Sequence, residues 1–307
     1  MKSRLVSVTL FQCALVLCAL APVARAADVT SRTAPAPARS VKATFAPALQ
    51  TPAAPAARAA TDALVFSSPP RESLAEGQAV YAPIAQYLSK AIGRNIVYRH
   101  PGTWGAYRSE MLRGDYDIVF DGPHFIGYRA ERLQHNALAK LPGRHEFAIV
   151  TRQGEKFTTA AQMGGRTFCT HAPPNLGTLL LMSQFDNPAR QPAILPTEGW
   201  DRIYAGIVAG RCVGAVLPTA ILNKLDAQHR LKIVFTSAPL PNQGFSAGPR
   251  LSPAEQAKLA AALLAPEATA PLVKLRAAFK VNEQLVAADN REYAGLGQLL
   301  RNEFGYY

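Results

Sequence analysis

The residues able to do chemistry cluster in short stretches that follow apolar runs. The stretch THAPPNLGT over 170–178 places His171, Asn175, Gly177 and Thr178 between a strand-like run, 166–169, and a helix-like run, 175–185. An imidazole, a hydroxyl and the N–H groups of a new helix suit an anion, because the helix dipole and its orphan donors favour negative charge. The same residues have a purely structural use: Asn175 caps the helix with its side-chain oxygen while Pro173-Pro174 stiffens the turn. The two uses are compatible, since such a cap engages only one or two orphan groups. Cys169 and His171 share one face of an extended strand. No orienting group and no oxyanion site accompanies them, so a thiol–imidazole catalytic pair is not expected.

A second cluster is Asp121-Gly122-Pro123-His124-Phe125, where a Gly-Pro turn ends a buried strand and opens a helix, presenting His124 and Phe125 to a ligand. The Asp121 carboxylate repels an anion and is expected to pair with Arg71 or to meet a cationic ligand group. Ser67 and Arg71 follow the first strand, and Thr219 follows the strand 213–217. Trp104, Tyr107 and Trp200 stand at helix starts, where an aromatic either packs or encloses an organic or ammonium group. No phosphate-binding Walker loop, G-x-S-x-G, H-E-x-x-H or C-x-x-C occurs, and the histidines at 100, 124, 135, 145, 171 and 229 lack metal-ligand spacing. Neither a cofactor, a metal nor catalysis is therefore expected.

The elements that must position these residues alternate regularly from Leu64 onward. Strand 64–66, a helix opened by the Ser73/Glu76 capping box, strand 95–99, a short helix ending at Gly114 and strand 116–120 make β-α-β-α-β. The order repeats as strand 166–169, helix 175–185, strand 193–196, helix 200–209 and strand 213–217. A strand at 232–235, a crossover through 239–242, a strand at 244–248, a helix capped by Ser252 and Glu255, and helices over 271–280 and 291–304 complete the chain. Ligands gather at the carboxyl ends of such strands, so the site is expected between two lobes. Lobe one is assigned 63–147 and 240–307, and lobe two 148–239.

Composition constrains the setting. The 307 residues carry a formal charge of +12, of which +7 lies beyond residue 62 and is dispersed, so no nucleic-acid face is expected. Lys2 and Arg4, an apolar run over 5–23 and Ala24-Arg25-Ala26 predict a secretory signal peptide over 1–26, favoured over an uncleaved anchor or a lipidated Cys18. Residues 27–62, rich in Ala, Pro and Thr, read as a disordered tether. Export places Cys169 and Cys212 in an oxidising compartment, where a disulfide or two buried thiols both fit the sequence.

The segment GDYDIVFDGPHFIGYRA, with Gly114, Asp117, Ile118, Gly122 and Pro123, resembles the Gly-x-x-Asp-Ile-x-x-x-Gly-Pro pattern of the periplasmic phosphonate- and phosphate-binding proteins of ABC importers. PIAQYLSKAIGRNI, MGGRTFCTHAPPNLGT, IVAGRCVGAV and APLPNQGFSAGPRLSP are similar to further parts of that family. The resemblance implies a type II periplasmic binding fold, in which two α/β lobes with mostly parallel, helix-flanked sheets are joined by two crossover strands. It implies a monomeric periplasmic receptor that closes on a small anionic or zwitterionic solute and delivers it to a membrane permease. The alternative is a tethered sensing module that signals to a membrane kinase or transporter. The lobe-two loop departs from the family's hydroxyl-rich Ser-Thr-Ser-Gly-like sequence, reading Pro174-Asn175-Leu176-Gly177. Gly199-Trp200 and Val213 stand where the family presents a histidine and an acidic residue.

Overall fold

The computed structural model describes residues 63–304, which leaves the expected signal peptide and tether outside the described residues. The chain runs β1 (Leu64–Ser67), α1 (Leu74–Ile92), β2 (Ile96–Tyr98), α2 (Trp104–Leu112), β3 (Ile118–Asp121), α3 (Pro123–Arg132), β4 (Asn136–Lys140) and β5 (Arg144–His145). It continues through β6 (Phe147–Arg152), β7 (Thr167–Thr170), α4 (Leu176–Met182), β8 (Ala193–Pro196), α5 (Trp200–Val208), β9 (Gly214–Pro218), α6 (Thr219–Leu225) and β10 (Leu231–Thr236). The return comprises β11 (Leu240–Pro241), β12 (Gly244–Ala247), α7 (Pro253–Leu264), α8 (Val273–Ala278), β13 (Val286–Ala287) and α9 (Gln298–Phe304).

Two sheets share one plan. The first has six strands in the order β13-β4-β12-β3-β1-β2, and the second has five in the order β10-β6-β9-β7-β8. In each, two neighbouring pairs are parallel, β2–β1–β3 and β8–β7–β9, as helical crossovers demand. Each third strand then pairs antiparallel with the strand that has just crossed from the other lobe: β12 beside β3, and β6 beside β9. The crossings are held together by a two-stranded ribbon in which Leu240 opposes His145 and Pro241 opposes Arg144. This is an α/β fold of two lobes.

Local chemistry explains the elements. Both Ser73 and Ser252 close capping boxes with Glu76 and Glu255, and Pro253 occupies the first position of α7, where its missing N–H costs nothing. Tyr81, Ile84, Ala85 and Leu88 of α1 recur at helical spacing and are buried against Phe66, Ile118 and Phe245 of the first sheet. Each such large side chain contributes about 1.5–3 kcal/mol on burial. The expected C-terminal helix over 291–304 is instead a 3-10 turn over 290–293 followed by α9. Gly295 lies at φ 79°, and a Cβ on Gly297 would stand 2.7 Å from the Tyr128 backbone, so the chain breaks there to pack against α3. Among the described residues no helix is long and apolar enough to cross a membrane.

Candidate functional site

On the lobe-one side, the loop after β1 is fixed by buried hydroxyls. Ser67 donates to the Arg99 carbonyl at 2.8 Å, and Ser68 lies 3.0 Å from the Tyr98 hydroxyl. Arg71 closes a tight turn through its N–H to the Pro69 carbonyl, 2.8 Å, and its side chain is exposed. After β3, Gly122 caps α3 without a side-chain bond, and Pro123 begins the helix. His124 is buried, with Nε2 3.0 Å from the Pro174 carbonyl of lobe two. A carbonyl only accepts, so Nε2 carries the proton and Nδ1 keeps a lone pair. Burial is the main force pushing the imidazole pKa down to about 3; the Pro174 bond opposes it and the Arg71 charge adds to it. Nδ1 itself is buried and without a partner.

Asp121 departs from expectation. It is fully buried and pairs with Arg129 rather than Arg71, Nε to Oδ2 at 2.7 Å. Tyr107 donates to Asp121 Oδ1 at 2.5 Å and accepts from Arg129 Nη2 at 2.9 Å. Tyr107 is thus core rather than cleft wall, and burial drives its phenol pKa far upward. The physical reason is closure of a triad: the carboxylate is neutralised inside lobe one, which leaves it no charge to offer a ligand. Arg129 carries no sequence signal beyond standing within the otherwise mostly apolar run HFIGYRA.

On the lobe-two side, Asn175 Oδ1 accepts from the Gly177 N–H at 3.0 Å, so that N–H is committed to the cap instead of the cleft. Gly177 is needed for packing, since a Cβ there would stand 2.8 Å from the Phe147 ring and 3.1 Å from Val216. The Thr178 hydroxyl is buried, bonded to Thr170 Oγ1 at 2.9 Å and to the His171 carbonyl at 2.7 Å, and so is also unavailable. Half-buried His171 stands edge-on to Trp200, ring centres 4.4 Å apart, with Glu198 Oε2 3.5 Å from its Nδ1. Burial lowers the His171 pKa and Glu198 works against that shift. Thr219 begins α6 with its N–H on the Glu146 carbonyl, 2.9 Å. Cys169 of β7 and Cys212, two residues ahead of β9, are joined as a disulfide, Cα atoms 5.7 Å apart.

The lobes meet where these loops face each other. Besides the His124–Pro174 bond, Leu179 of α4 is buried with Tyr107, Met111, Phe125, Tyr128 and Leu300, a seam of lobe-one and C-terminal side chains. Trp104 stacks on Phe125 at 6.2 Å. Helix α9 packs against both α3 and α4. The structure therefore joins His124 to the Pro173-Pro174 loop, Phe125 to Leu179 of α4 and His171 to Trp200, while Ser67 and Asp121 serve lobe one internally and Tyr107 meets both Asp121 and the seam. Neither the Pro174 carbonyl nor Leu179 was singled out by residue type, because a proline carbonyl and a leucine carry no chemical signature. A hollow of 110 Å³ among residues 161, 184–187 and 190 draws on none of the loops at the seam. Among the described residues no three His, Cys, Asp or Glu side chains group as a metal site.

Residues 66–293 match the family described as ABC transporter, phosphonate, periplasmic substrate-binding protein. The chain belongs to that family. Several solved structures are similar to it in fold. XAC2383 from Xanthomonas citri, bound to ATP, has TM-score 0.58 at 17% identity, covering 79% of this chain and 98% of that one. PhnD1 from Prochlorococcus marinus, in complex with methylphosphonate, has TM-score 0.55 at 12% identity, covering 78% and 98%. A phosphonate-transporter binding protein from Pseudomonas aeruginosa has TM-score 0.51 at 14% identity, covering 80% and 89%. No curated protein matches the chain.

Proposed function

We propose that this periplasmic substrate-binding protein captures one small anionic or zwitterionic solute at the seam between the β3–α3 and β7–α4 loops, performs no chemistry on it, and hands it to an ABC permease. It acts as a monomer. The observation that carries this reading is the His124 Nε2 bond to the Pro174 carbonyl, 3.0 Å, which ties together the carboxyl ends of β3 and β7. Arg71, His124, Phe125, His171, Asn175 and Trp200 frame the seam, with Thr219 at its rim. The positive end of ten-residue α3 and the Arg71 guanidinium favour negative charge there. The similar folds were solved with anions, ATP, methylphosphonate and, for XAC2383 again, chloride.

A thermal-shift screen of the exported chain with phosphate, methylphosphonate, sulfate, methanesulfonate and amino acids tests the reading. A ligand at 100 times its Kd stabilises the folded state by about 2.7 kcal/mol. Solution scattering should show the ligand-bound form at least as compact as the free form, and the solute should be recovered unchanged. No stabilisation by any solute, or turnover of one, overturns the proposal.

A further inference from the structure

Beyond the two crossover strands, a third stretch of chain touches both lobes. Residues 290–300 leave β13, pass the crossover ribbon and enter the seam. Lobe one grips this stretch through its backbone and through directed bonds. Asn290 accepts from the Ala137 N–H at 2.7 Å and donates to the His135 carbonyl at 3.1 Å, and the Gly295 N–H donates to Glu131 Oε1 at 2.9 Å. Two glycines let the backbones touch. A Cβ on Gly127 of α3 would stand 2.5 Å from the Tyr293 carbonyl oxygen, and one on Gly297 would stand 2.7 Å from the Tyr128 nitrogen. Fully buried Tyr293 donates to the Asn242 carbonyl at 3.2 Å, just after β11, which anchors the stretch at the ribbon itself.

Lobe two meets the same stretch through apolar side chains. Leu296 and Leu299 pack against the lobe-two cluster that contains Leu176, Leu181 and Val216, and Leu300 is buried with Leu179 of α4. The two grips differ in kind. Hydrogen bonds weaken steeply once distance and angle are lost, so they hold the stretch to lobe one in a single position. Apolar burial has no direction and follows only the area removed from water, so it lets lobe two slide while resisting separation.

We infer that residues 290–300 form a strap that moves with lobe one and holds lobe two by its leucines, so that it sets how far the lobes stand apart before any solute arrives. The crossover strands alone leave the lobes free to rotate about the ribbon. The strap opposes that rotation, because opening would return Leu179, Leu299 and Leu300 to water. The resting angle is thereby tuned by side chains outside the loops that frame the seam. This goes beyond the receptor reading, and its test requires no solute.

The test is the distance between spin labels at Gln78→Cys on α1 and Lys224→Cys on α6, both exposed, measured by pulsed paramagnetic resonance on the whole exported chain without solute. Cys169 and Cys212 are bonded to each other and take no label. Leu179→Ala removes the fully buried lobe-two member of the contact and is expected to raise the population at longer distances about tenfold. Half-buried Leu299→Ala should shift it the same way by a smaller factor, and Gly297→Ala, which must push the strap off α3, should lengthen the distances too. Leu259→Ala, equally buried in the separate lobe-one core, should lower stability and leave the distances unchanged. Unchanged distances in Leu179→Ala and Leu299→Ala, or an equal shift in Leu259→Ala, overturn the inference. Where Leu179→Ala fails to fold, Leu299→Ala decides alone, since it trims only a half-buried side chain.

Discussion

The two lobes are built to the same strand order and braced by different chemistry. Lobe one holds β3 to α3 through a buried ion pair, Asp121 to Arg129, with Tyr107 bridging both ends. Lobe two holds β7 to β9 through the covalent Cys169–Cys212 link. The polar groups at the seam divide similarly. Lobe one keeps an unpartnered acceptor on His124, whereas lobe two closes its hydroxyls on one another at Thr170 and Thr178. Equivalent positions in one architecture thus do not carry equivalent bonding: the lobe-one face leaves an acceptor without a partner, and the lobe-two loop satisfies its own hydroxyls.

The chain carries its own probes for this contrast, because its two tryptophans, Trp104 and Trp200, fall one in each lobe. Replacing either with Phe gives a single-lobe fluorescence reporter. Arg129→Met should have the largest effect, about 3–5 kcal/mol lost by stranding the Asp121 carboxylate, seen as an earlier urea transition of the Trp104 signal. Equal shifts at both tryptophans would show that the braces are not separate. Reducing Cys169–Cys212 should cost about 2–4 kcal/mol, now at Trp200 first.

Acid should act most strongly on lobe one, since half-buried His171 of lobe two is shifted in the same direction but is less enclosed than His124 and His135. Burial holds both His124 and His135 below the ordinary histidine pKa, so both fold neutral and gain protons on unfolding. Their contribution is complete above about pH 6.5 and is lost as pH falls below it, toward about 3 for His124. Between pH 6.5 and 5 His124 alone should account for about 2 kcal/mol, and His124→Gln should flatten the Trp104 stability profile over that range. The smallest expected effect is Asn175→Ala, about 1 kcal/mol from the lost cap of α4, read by denaturant titration at Trp200.

Local signals were the legible ones. Capping boxes at Ser73 and Ser252, the Asn175 cap and the alternation of strand and helix all depend on neighbours within a few residues, and the structure contains each. The partners of charged residues were not legible in this way. Asp121 had Arg71 and Arg129 available, and only the inward face of α3, which buries residues 123–129, decides for the latter. The hydroxyl of Thr178 likewise looks like a ligand donor until folding brings Thr170 and the His171 carbonyl within reach. The final segment over 291–304 has helical composition throughout, and close approach of Gly297 to Tyr128 overrides it.

The reciprocal placement of β6 and β12 also sets an order of assembly. Every strand of the second sheet lies within residues 147–236, so that sheet is complete once β10 has emerged. The first sheet is not: β12 stands between β3 and β4, and neither can reach the other until residues 244–247 arrive. During vectorial synthesis or export, β1, β2 and β3 therefore wait with an open edge while lobe two closes ahead of them. That edge is the stretch of chain that a chaperone has most reason to cover.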